Sequence, residues 1–180
     1  LTYCTLPEKA PNNPQLVEVG FEKGVPVSLN GKKMPLVKLI LELNKIGALH
    51  GVGISIHVED RIVGLKIRDI YEAPAAHILI KAHKSLEKIV STREENFEKN
   101  RMDEKWAYLC YGAKWFEPLM RHLNAFADSV NQKVTGSVTL KLYKGQAVAV
   151  AIKSPYSLFN ANLATFMKSS TFNQNASAGF

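Results

Sequence analysis

The sequence predicts an α+β domain in which helices pack against an antiparallel sheet. Apolar residues alternate with polar ones in short runs near both ends of the chain, which is the period of half-buried strands. Between those runs lie three long stretches with apolar residues at helical spacing. Because the strands follow one another through short turns and the helices form a block, a parallel sheet of alternating strands and helices is disfavoured.

The elements of the first half follow from turn residues and side-chain period. Glycine after lysine or asparagine favours the tight turns of hairpins, so Lys23-Gly24 and Asn30-Gly31 are predicted to separate short strands. Pro35 suits the first turn of a helix, and apolar residues three and four apart follow it. The predicted elements are strands at Val17–Phe21 and Val25–Leu29, a helix at Leu36–Ile46 that ends at Gly47 or Gly51, and two strands or one bent strand across Ile54–Ile67.

The second half contains three predicted helices followed by a hairpin. Pro74 again suits a helix start, and Lys144-Gly145 separates two alternating runs. Small polar residues dominate after residue 168, which is typical of a mobile tail. The predicted elements are helices at Pro74–Val90, Arg93–Tyr111 and Leu119–Gln132, a hairpin of Val134–Leu142 with Ala147–Ile152, and a short helix near Asn160–Met167.

The chain is long enough for one domain with a filled core, since 46% of its 180 residues are hydrophobic. Pro7, Pro11 and Pro14 discourage regular structure, so residues 1–14 are predicted to be an incoming linker. Residues 15–168 are then the domain and residues 169–180 the tail. Because the first residue is Leu1, we expect the sequence to begin inside a longer polypeptide.

The net charge of +7 favours anionic partners. The basic residues are scattered singly and not interleaved with aromatics, so a small anionic ligand is favoured over nucleic acid. Cys4 and Cys110 lie far apart and outside a CxxC spacing, which argues against a disulfide framework or a zinc site and favours a cytoplasmic setting. No apolar run approaches the roughly 18 residues of a membrane span, and no signal peptide opens the chain, so neither membrane nor export is expected.

Two histidines, one cysteine and an aromatic stretch are further candidates for a functional role. His77 and His83 are six residues apart, which is not the spacing that brings two histidines to one metal, so a solvated or capping role is predicted and no metal site is assigned. Cys110 is predicted to be a small core residue, since no histidine and acid partner is indicated. The aromatic stretch, predicted to lie in the core or at a subunit interface, comprises Trp106, Tyr108, Trp115 and Phe116.

The densest collection of polar residues in an otherwise apolar tract runs from His50 to Glu72. A carboxylate close to cationic or hydroxyl donors suits a small zwitterion. The alternative is a surface ladder of salt bridges, which the pattern alone favours because charges in sheets mostly decorate solvated faces. The polar members are Glu59, Arg61, Lys66, Arg68, Asp69, Tyr71 and Glu72.

The same tract carries four motifs in a fixed order. They are His50-Gly51-Val52-Gly53, Val58-Glu59-Asp60-Arg61, Val63-Gly64-Leu65-Lys66 and Arg68-Asp69-Ile70-Tyr71-Glu72-Ala73-Pro74. This order resembles the HGVGRxDxVENRxVGxKSRGxYETP segment of argininosuccinate synthases. The resemblance extends over essentially the whole chain and points to the carboxy-terminal synthetase domain of that family. Its further matches are Glu18-Val19-Gly20-Phe21-Glu22-Lys23-Gly24-Val25-Pro26-Val27, Leu29-Asn30-Gly31, Leu79 with Ala82-His83, Leu86-Glu87, Val134-Thr135-Gly136, Leu142-Tyr143-Lys144-Gly145 and Ser154-Pro155-Tyr156-Ser157-Leu158.

The resemblance implies a function in arginine biosynthesis. The family joins citrulline to aspartate with ATP through a citrullyl-adenylate and releases AMP and pyrophosphate. The family's citrulline-binding glutamate and tyrosine fall on Glu59 and Tyr71, and no catalytic residue is assigned. ATP is expected on a partner amino-terminal nucleotide-binding domain, because its SGGxDTS phosphate loop is absent from this sequence. The resemblance also implies a homotetramer, although the sequence stops before the family's last helix.

Several polar positions of the family's motifs are altered here. A buried Arg and Asp pair that is replaced by apolar groups together can be neutral for stability, so the fold is expected to survive. Two hypotheses stay open: a divergent working ligase domain, and a non-catalytic interaction or regulatory module on the same scaffold. The altered positions are Ile54, Ile56, Ile67, Asp69 and Ile152.

Overall fold

The structure is a computed structural model whose described part covers residues 1–163. Within that range it confirms the predicted α+β class, with a five-stranded antiparallel sheet, a separate two-stranded hairpin and helices. The strands are β1 (Gln15–Glu22), β2 (Val25–Leu29), β3 (Lys32–Lys33), β4 (Ile54–Asp60), β5 (Lys66–Glu72), β6 (Gly136–Tyr143) and β7 (Gln146–Lys153). The helices are α1 (Leu36–Leu49), α2 (Pro74–Val90), α3 (Arg93–Tyr111) and α4 (Pro118–Asn131), after a 3-10 turn at Pro7–Lys9.

The larger sheet has the strand order β3-β2-β1-β6-β7, and every neighbouring pair is antiparallel. Its hairpins turn at the three predicted dipeptides, Lys23-Gly24, Asn30-Gly31 and Lys144-Gly145. Both residues of each turn have positive φ, the geometry that matches the twist of the flanking strands. The short strand β3 was not predicted, because its two lysines carry no apolar alternation.

The main core lies between one face of this sheet and helices α1 and α2. From β1, Val17 and Val19 are fully buried, and from α1 so are Leu39 and Leu43 at helical spacing. Helix α2 adds Ile78 and lies across β6 and β7. Full burial of each such side chain contributes about 1.5–3 kcal/mol to stability. This core is the rigid body from which the smaller hairpin of β4 and β5 emerges.

Helix α1 ends at Leu49, between the two glycines at which its end was predicted. Gly47 lies inside the helix, where a Cβ atom would come within 2.7 Å of the Cβ of Pro74. The missing side chain therefore lets α1 and α2 pack closely. Gly51 follows the helix with a φ of +70°, a conformation that favours glycine.

Helices α3 and α4 form a second, smaller core. Helix α3 begins with a capping box, in which the Thr92 hydroxyl accepts from the Glu95 N–H and the Glu95 carboxylate accepts from the Thr92 N–H. Cys110 packs beside this core and is half-buried, as expected of a small core residue. The buried residues of the small core are Leu109, Met120 and Leu123.

A buried ion cluster joins α3 to α2. The Glu87 side chain is 7% exposed, and its Oε1 lies 3.3 Å from Nζ of Lys99 and 3.4 Å from Nδ1 of His83. Burial raises the pKa of Glu87, but the hydrogen bond and charge of His83 and the charge of Lys99 outweigh it, so the net pKa is lowered. The predicted solvated or capping role of His83 is wrong, since the ring faces Glu87 and packs edge-on against Phe21.

The aromatic stretch at the end of α3 is exposed. Phe116 is fully exposed, Tyr108 and Trp115 are more than half exposed, and Trp106 meets Trp115 edge-on at 6.2 Å between ring centroids. The predicted core role is therefore wrong within residues 1–163. The predicted subunit interface stays a prediction.

The hairpin of β4 and β5 consists of two strands and not one bent strand. Its register pairs Ile54 with Glu72 and Asp60 with Lys66. Strand β5 begins at Lys66, so the predicted strand residues Ile62 and Val63 lie in the connecting turn and are exposed. The prediction took these apolar residues for strand residues, but the turn presents their side chains to solvent.

The predicted linker, residues 1–14, packs against the domain near its start. The Glu72 carboxylate accepts backbone hydrogen bonds from Thr2, Tyr3 and Cys4, and Cys4 is buried. The bonds from Cys4 and Thr2 lower the pKa of Glu72 to about 2. The predicted helix near Asn160–Met167 extends past the described residues, and the predicted tail at 169–180 lies outside them. No helix in residues 1–163 has the length and apolar character needed to cross a membrane.

Replacing Glu72 with glutamine is expected to speed the reaction of the Cys4 thiol with Ellman's reagent several-fold. Burial and the charge of Glu72 raise the pKa of Cys4, and a neutral amide would weaken the charge-assisted hydrogen bonds that hold the segment. The rate is measured at neutral pH in a Cys110→Ser background. Glu22→Gln is the matched control, because Glu22 is exposed and bonds to Lys33 instead.

The same contact predicts a pH dependence in the unsubstituted chain. The pKa of Glu72 is lowered from 4.5 to about 2, so the contact is intact above pH 4.5 and is lost as the pH falls from there through about 2. Hydrogen exchange of the Thr2, Tyr3 and Cys4 amides should accelerate over that window, relative to its ordinary pH dependence. Unchanged protection of these amides down to pH 2, or an unchanged thiol rate in Glu72→Gln, would contradict the role of Glu72.

Candidate functional site

The hairpin of β4 and β5 has two chemically different faces. Side chains alternate along a strand, and the register places Ser55 opposite Tyr71, His57 opposite Asp69, and Glu59 opposite Ile67. The other face carries Lys66, Arg68 and Glu72, so the strands separate the polar cluster predicted from the sequence into two groups. The residues that share the face of Glu59 are Ser55, His57, Ile67, Asp69 and Tyr71.

Glu59 and Tyr71 lie on one face and contact each other directly. The Tyr71 hydroxyl donates a hydrogen bond of 2.9 Å to Oε2 of Glu59. The His57 ring stacks on the Tyr71 ring at 5.3 Å between centroids, and its Nε2 lies 3.5 Å from the same carboxylate oxygen. Ser55 Oγ lies 3.0 Å from Nδ1 of His57. The four side chains therefore form a continuous polar chain along the face.

The carboxylate fixes the protonation state of the phenol. The hydrogen bond to Glu59 is the largest cause that raises the pKa of Tyr71 to about 12, followed by burial and the charges of Glu59 and Asp69. Tyr71 is therefore a proton donor at neutral pH. No described residue hydrogen-bonds to Oε1 of Glu59, whose side chain is 20% exposed. That oxygen is open to a donor from a ligand.

A surface cavity of about 380 Å³ opens beside this pair. Its size is that of a pocket for a small molecule such as an amino acid. Within residues 1–163 no cluster of three or more His, Cys, Asp or Glu side chains is arranged for a metal. The residues that line the cavity are Glu59, Arg61, Ile62, Val63, Tyr71 and Tyr111.

The His50-Gly51-Val52-Gly53 motif supports the site without lining it. His50 is buried, and its Nε2 lies 3.0 Å from Oε1 of Gln15 on β1. Gly53 has a φ of +92°, and its carbonyl accepts a hydrogen bond of 2.9 Å from the Ala73 N–H. The motif therefore connects the base of the hairpin to the main core.

The altered motif positions fall on different surfaces. Ile54 and Ile56 lie on the face opposite Glu59, whereas Ile67 and Asp69 share its face. Ile152 lies on β7, pairs with Val138 and packs against the main core. Two of the five altered side chains therefore belong to the site face.

Sequence reasoning did not select Ser55 and His57 as site residues. The signal was present, because both alternate with Ile54 and Ile56 and so share a strand face with Glu59. Tyr111 was also missed. It comes from α3, and only the tertiary structure brings it to the cavity.

The fold and this site define an α+β domain whose separate two-stranded hairpin presents a carboxylate and a phenol to a cavity of amino-acid size. The family model described as "Arginosuccinate synthase C-terminal domain" matches residues 1–180. The chain therefore belongs to the argininosuccinate synthase C-terminal domain family.

Curated relatives named argininosuccinate synthase match nearly the whole chain. The protein of Pyrococcus furiosus is 51% identical over 173 residues, which are 96% of this chain and 42% of the relative. That of Pelodictyon phaeoclathratiforme is 49% identical over 98% of this chain and 44% of the relative. The protein of Halalkalibacterium halodurans is 50% identical over 173 residues, which are 96% of this chain and 42% of the relative. The chain thus spans less than half the length of these relatives.

Proposed function

We propose that this chain is the carboxy-terminal part of an argininosuccinate synthase and binds citrulline through Glu59 and Tyr71. The observation that carries the proposal is the 2.9 Å hydrogen bond between these two side chains, which line the same cavity. It holds the carboxylate in a fixed orientation while leaving Oε1 open. An α-ammonium group is a fitting partner for that oxygen, because a charge-assisted hydrogen bond is about twice as strong as a neutral one.

Neither side chain acts as a nucleophile in this proposal. Glu59 and Tyr71 position citrulline, whose ureido oxygen attacks the α-phosphate of ATP to form the adenylate and release pyrophosphate. The aspartate amine then displaces AMP. ATP is bound by the amino-terminal nucleotide-binding domain and not by this chain. The domain contributes substrate orientation, which lowers the entropic barrier to the reaction.

The chain is also proposed to make subunit contacts in a homotetramer. The exposed aromatic stretch at the end of α3 supports this role, since aromatic side chains are enriched in protein interfaces. The exposed apolar side chains of Ile56 and Val58, on the hairpin face opposite Glu59, support it as well.

The alternative is a non-catalytic module that retains the scaffold. The observation that favours it is the presence of Ile67 and Asp69 on the same face as Glu59. Asp69 adds a negative charge that raises the pKa of Tyr71 further. Ile54 and Ile56 do not favour it, because their side chains point away from the site.

Reconstitution discriminates the two functions. The chain is mixed with a separately produced nucleotide-binding domain of the family, together with ATP, citrulline and aspartate, and both argininosuccinate and AMP are quantified. We expect both products in equal amounts, and neither from the chain alone. Calorimetry with ATP should show no binding to the isolated chain. Absence of product from a mixture that forms a complex would favour the non-catalytic module.

A further inference from the structure

One carboxylate fastens the first residues of the chain to the hairpin of β4 and β5. Oε1 of Glu72 accepts hydrogen bonds of 2.8 Å from the Thr2 N–H and 3.2 Å from the Thr2 hydroxyl. Its Oε2 accepts from the N–H groups of Tyr3 and Cys4. Hydrogen bonds to an ionised carboxylate are shorter and stronger than those between neutral groups. Both oxygens of Glu72 therefore hold the backbone of the incoming segment, which comprises residues 1–10.

The rest of the incoming segment is anchored to the main body of the domain. The Thr5 N–H donates a hydrogen bond of 2.9 Å to the Ala48 carbonyl in the last turn of α1. Nζ of Lys144 donates one of 3.0 Å to the Ala10 carbonyl. A Cβ atom on Gly51 would lie 2.8 Å from the Thr5 carbonyl oxygen, so the two backbones touch there. The segment is thus held along its length, and Glu72 is the anchor nearest its start.

This anchor lies on the strand that also carries Tyr71. Neighbouring side chains of a strand point to opposite faces, so Tyr71 contacts Glu59 on one face and Glu72 contacts the incoming segment on the other. Within residues 1–163 the hairpin pairs with no strand of the larger sheet, so its orientation depends on its base. Glu72 pairs with Ile54 at that base. The start of the segment is therefore fixed relative to the strand that carries Tyr71.

We propose that Glu72 is a positioning residue, which couples the placement of the amino-terminal nucleotide-binding domain to the strand that carries Tyr71. The inference rests on the proposed function, in which that domain precedes Leu1 in the same polypeptide. An anchor close to the site shortens the free tether, which raises the effective concentration of one domain at the other. Groups that are held in a fixed orientation react faster, because less freedom is lost on the way to the transition state. Glu72 itself touches no substrate in this proposal.

A comparison of a tethered with a two-part enzyme tests the coupling. In the tethered enzyme, the nucleotide-binding domain of the Pyrococcus furiosus relative is joined to Leu1. In the two-part enzyme, the same domain is added separately at a saturating concentration. We expect Glu72→Gln to lower kcat of the tethered enzyme about tenfold and to leave kcat of the two-part enzyme within about twofold. KM for citrulline should stay unchanged in both, because Glu59 and Tyr71 are intact.

Glu22→Gln is the matched control. It also removes one carboxylate from a strand, but Glu22 bonds to Lys33 and not to the incoming segment, so kcat of both enzymes should stay unchanged. An equal fall of kcat in the tethered and two-part forms of Glu72→Gln would show that Glu72 only supports the hairpin, and would overturn the coupling. An unchanged kcat in both forms would overturn it as well. Absence of product from both unsubstituted enzymes would instead overturn the proposed function, and the coupling with it.

Discussion

Replacing Gly53 with alanine is expected to destabilise the domain by about 3–5 kcal/mol. The φ of Gly53 is +92°, and a Cβ atom there would lie 2.5 Å from the backbone nitrogen and 2.6 Å from the Cα of Pro74. Backbone atoms at the start of α2 cannot move aside without disturbing the main core. The strain of the left-handed backbone and the steric clash therefore add together. Urea unfolding measures the change in the free energy of unfolding.

Gly64→Ala separates the cost of backbone strain from the cost of the steric clash. Gly64 has a similar φ of +82°, but no atom lies within 4 Å of the position that its Cβ would occupy. Only the backbone cost of about 1–2 kcal/mol applies there. Equal losses of stability in the two variants would show that Pro74 can yield, and that the base of the hairpin is not held by this contact.

The larger sheet was predictable because its determinants are local. The alternation along β1, β2, β6 and β7 and the three glycine turns each follow from neighbouring residues. Helix α2 was predicted with its bounds for the same reason, since Pro74 suits its first position. These elements need no knowledge of distant contacts.

The environment of the smaller hairpin could not be predicted from its local sequence. Ile56, Val58 and Ile70 alternate as core-facing residues do, yet all three are about half exposed. In the described part of the chain, β4 and β5 pair with each other and not with the larger sheet, and these apolar side chains on the face opposite Glu59 stay exposed. Alternation predicts that a strand has two faces. It does not predict what lies against each face.

Contacts between distant residues were not predicted either, because a local pattern does not show which elements pack together. The ion pair of Glu87 with Lys99 links two helices, and neither residue stands out from the many charges around it. The pair of Glu59 and Tyr71 was selected only through a family resemblance, since polar pattern alone favoured a surface ladder. The structure adds the 2.9 Å contact that makes the pair a unit.

Glu59→Gln is expected to lower kcat/KM for citrulline about 100-fold in the reconstituted enzyme, which corresponds to about 3 kcal/mol. Glutamine keeps an oxygen that can accept the hydrogen bond from Tyr71, so the geometry of the face is preserved. It lacks the negative charge that the ammonium group of citrulline would meet. KM for ATP should stay unchanged, because the nucleotide is proposed to bind on the other domain.

Two further measurements separate loss of charge from loss of structure. Asp60→Asn removes the adjacent carboxylate on the opposite face, where it pairs with Lys66, and should leave kcat/KM within about twofold. Phenol titration should move the pKa of Tyr71 down from about 12 in Glu59→Gln, because the charge that opposes ionisation is gone. If the titration shifts as expected while kcat/KM stays at its original value, the pair exists but does not bind the substrate. Citrulline would then have to be bound elsewhere, and the polar chain on this face would serve only to stiffen the hairpin.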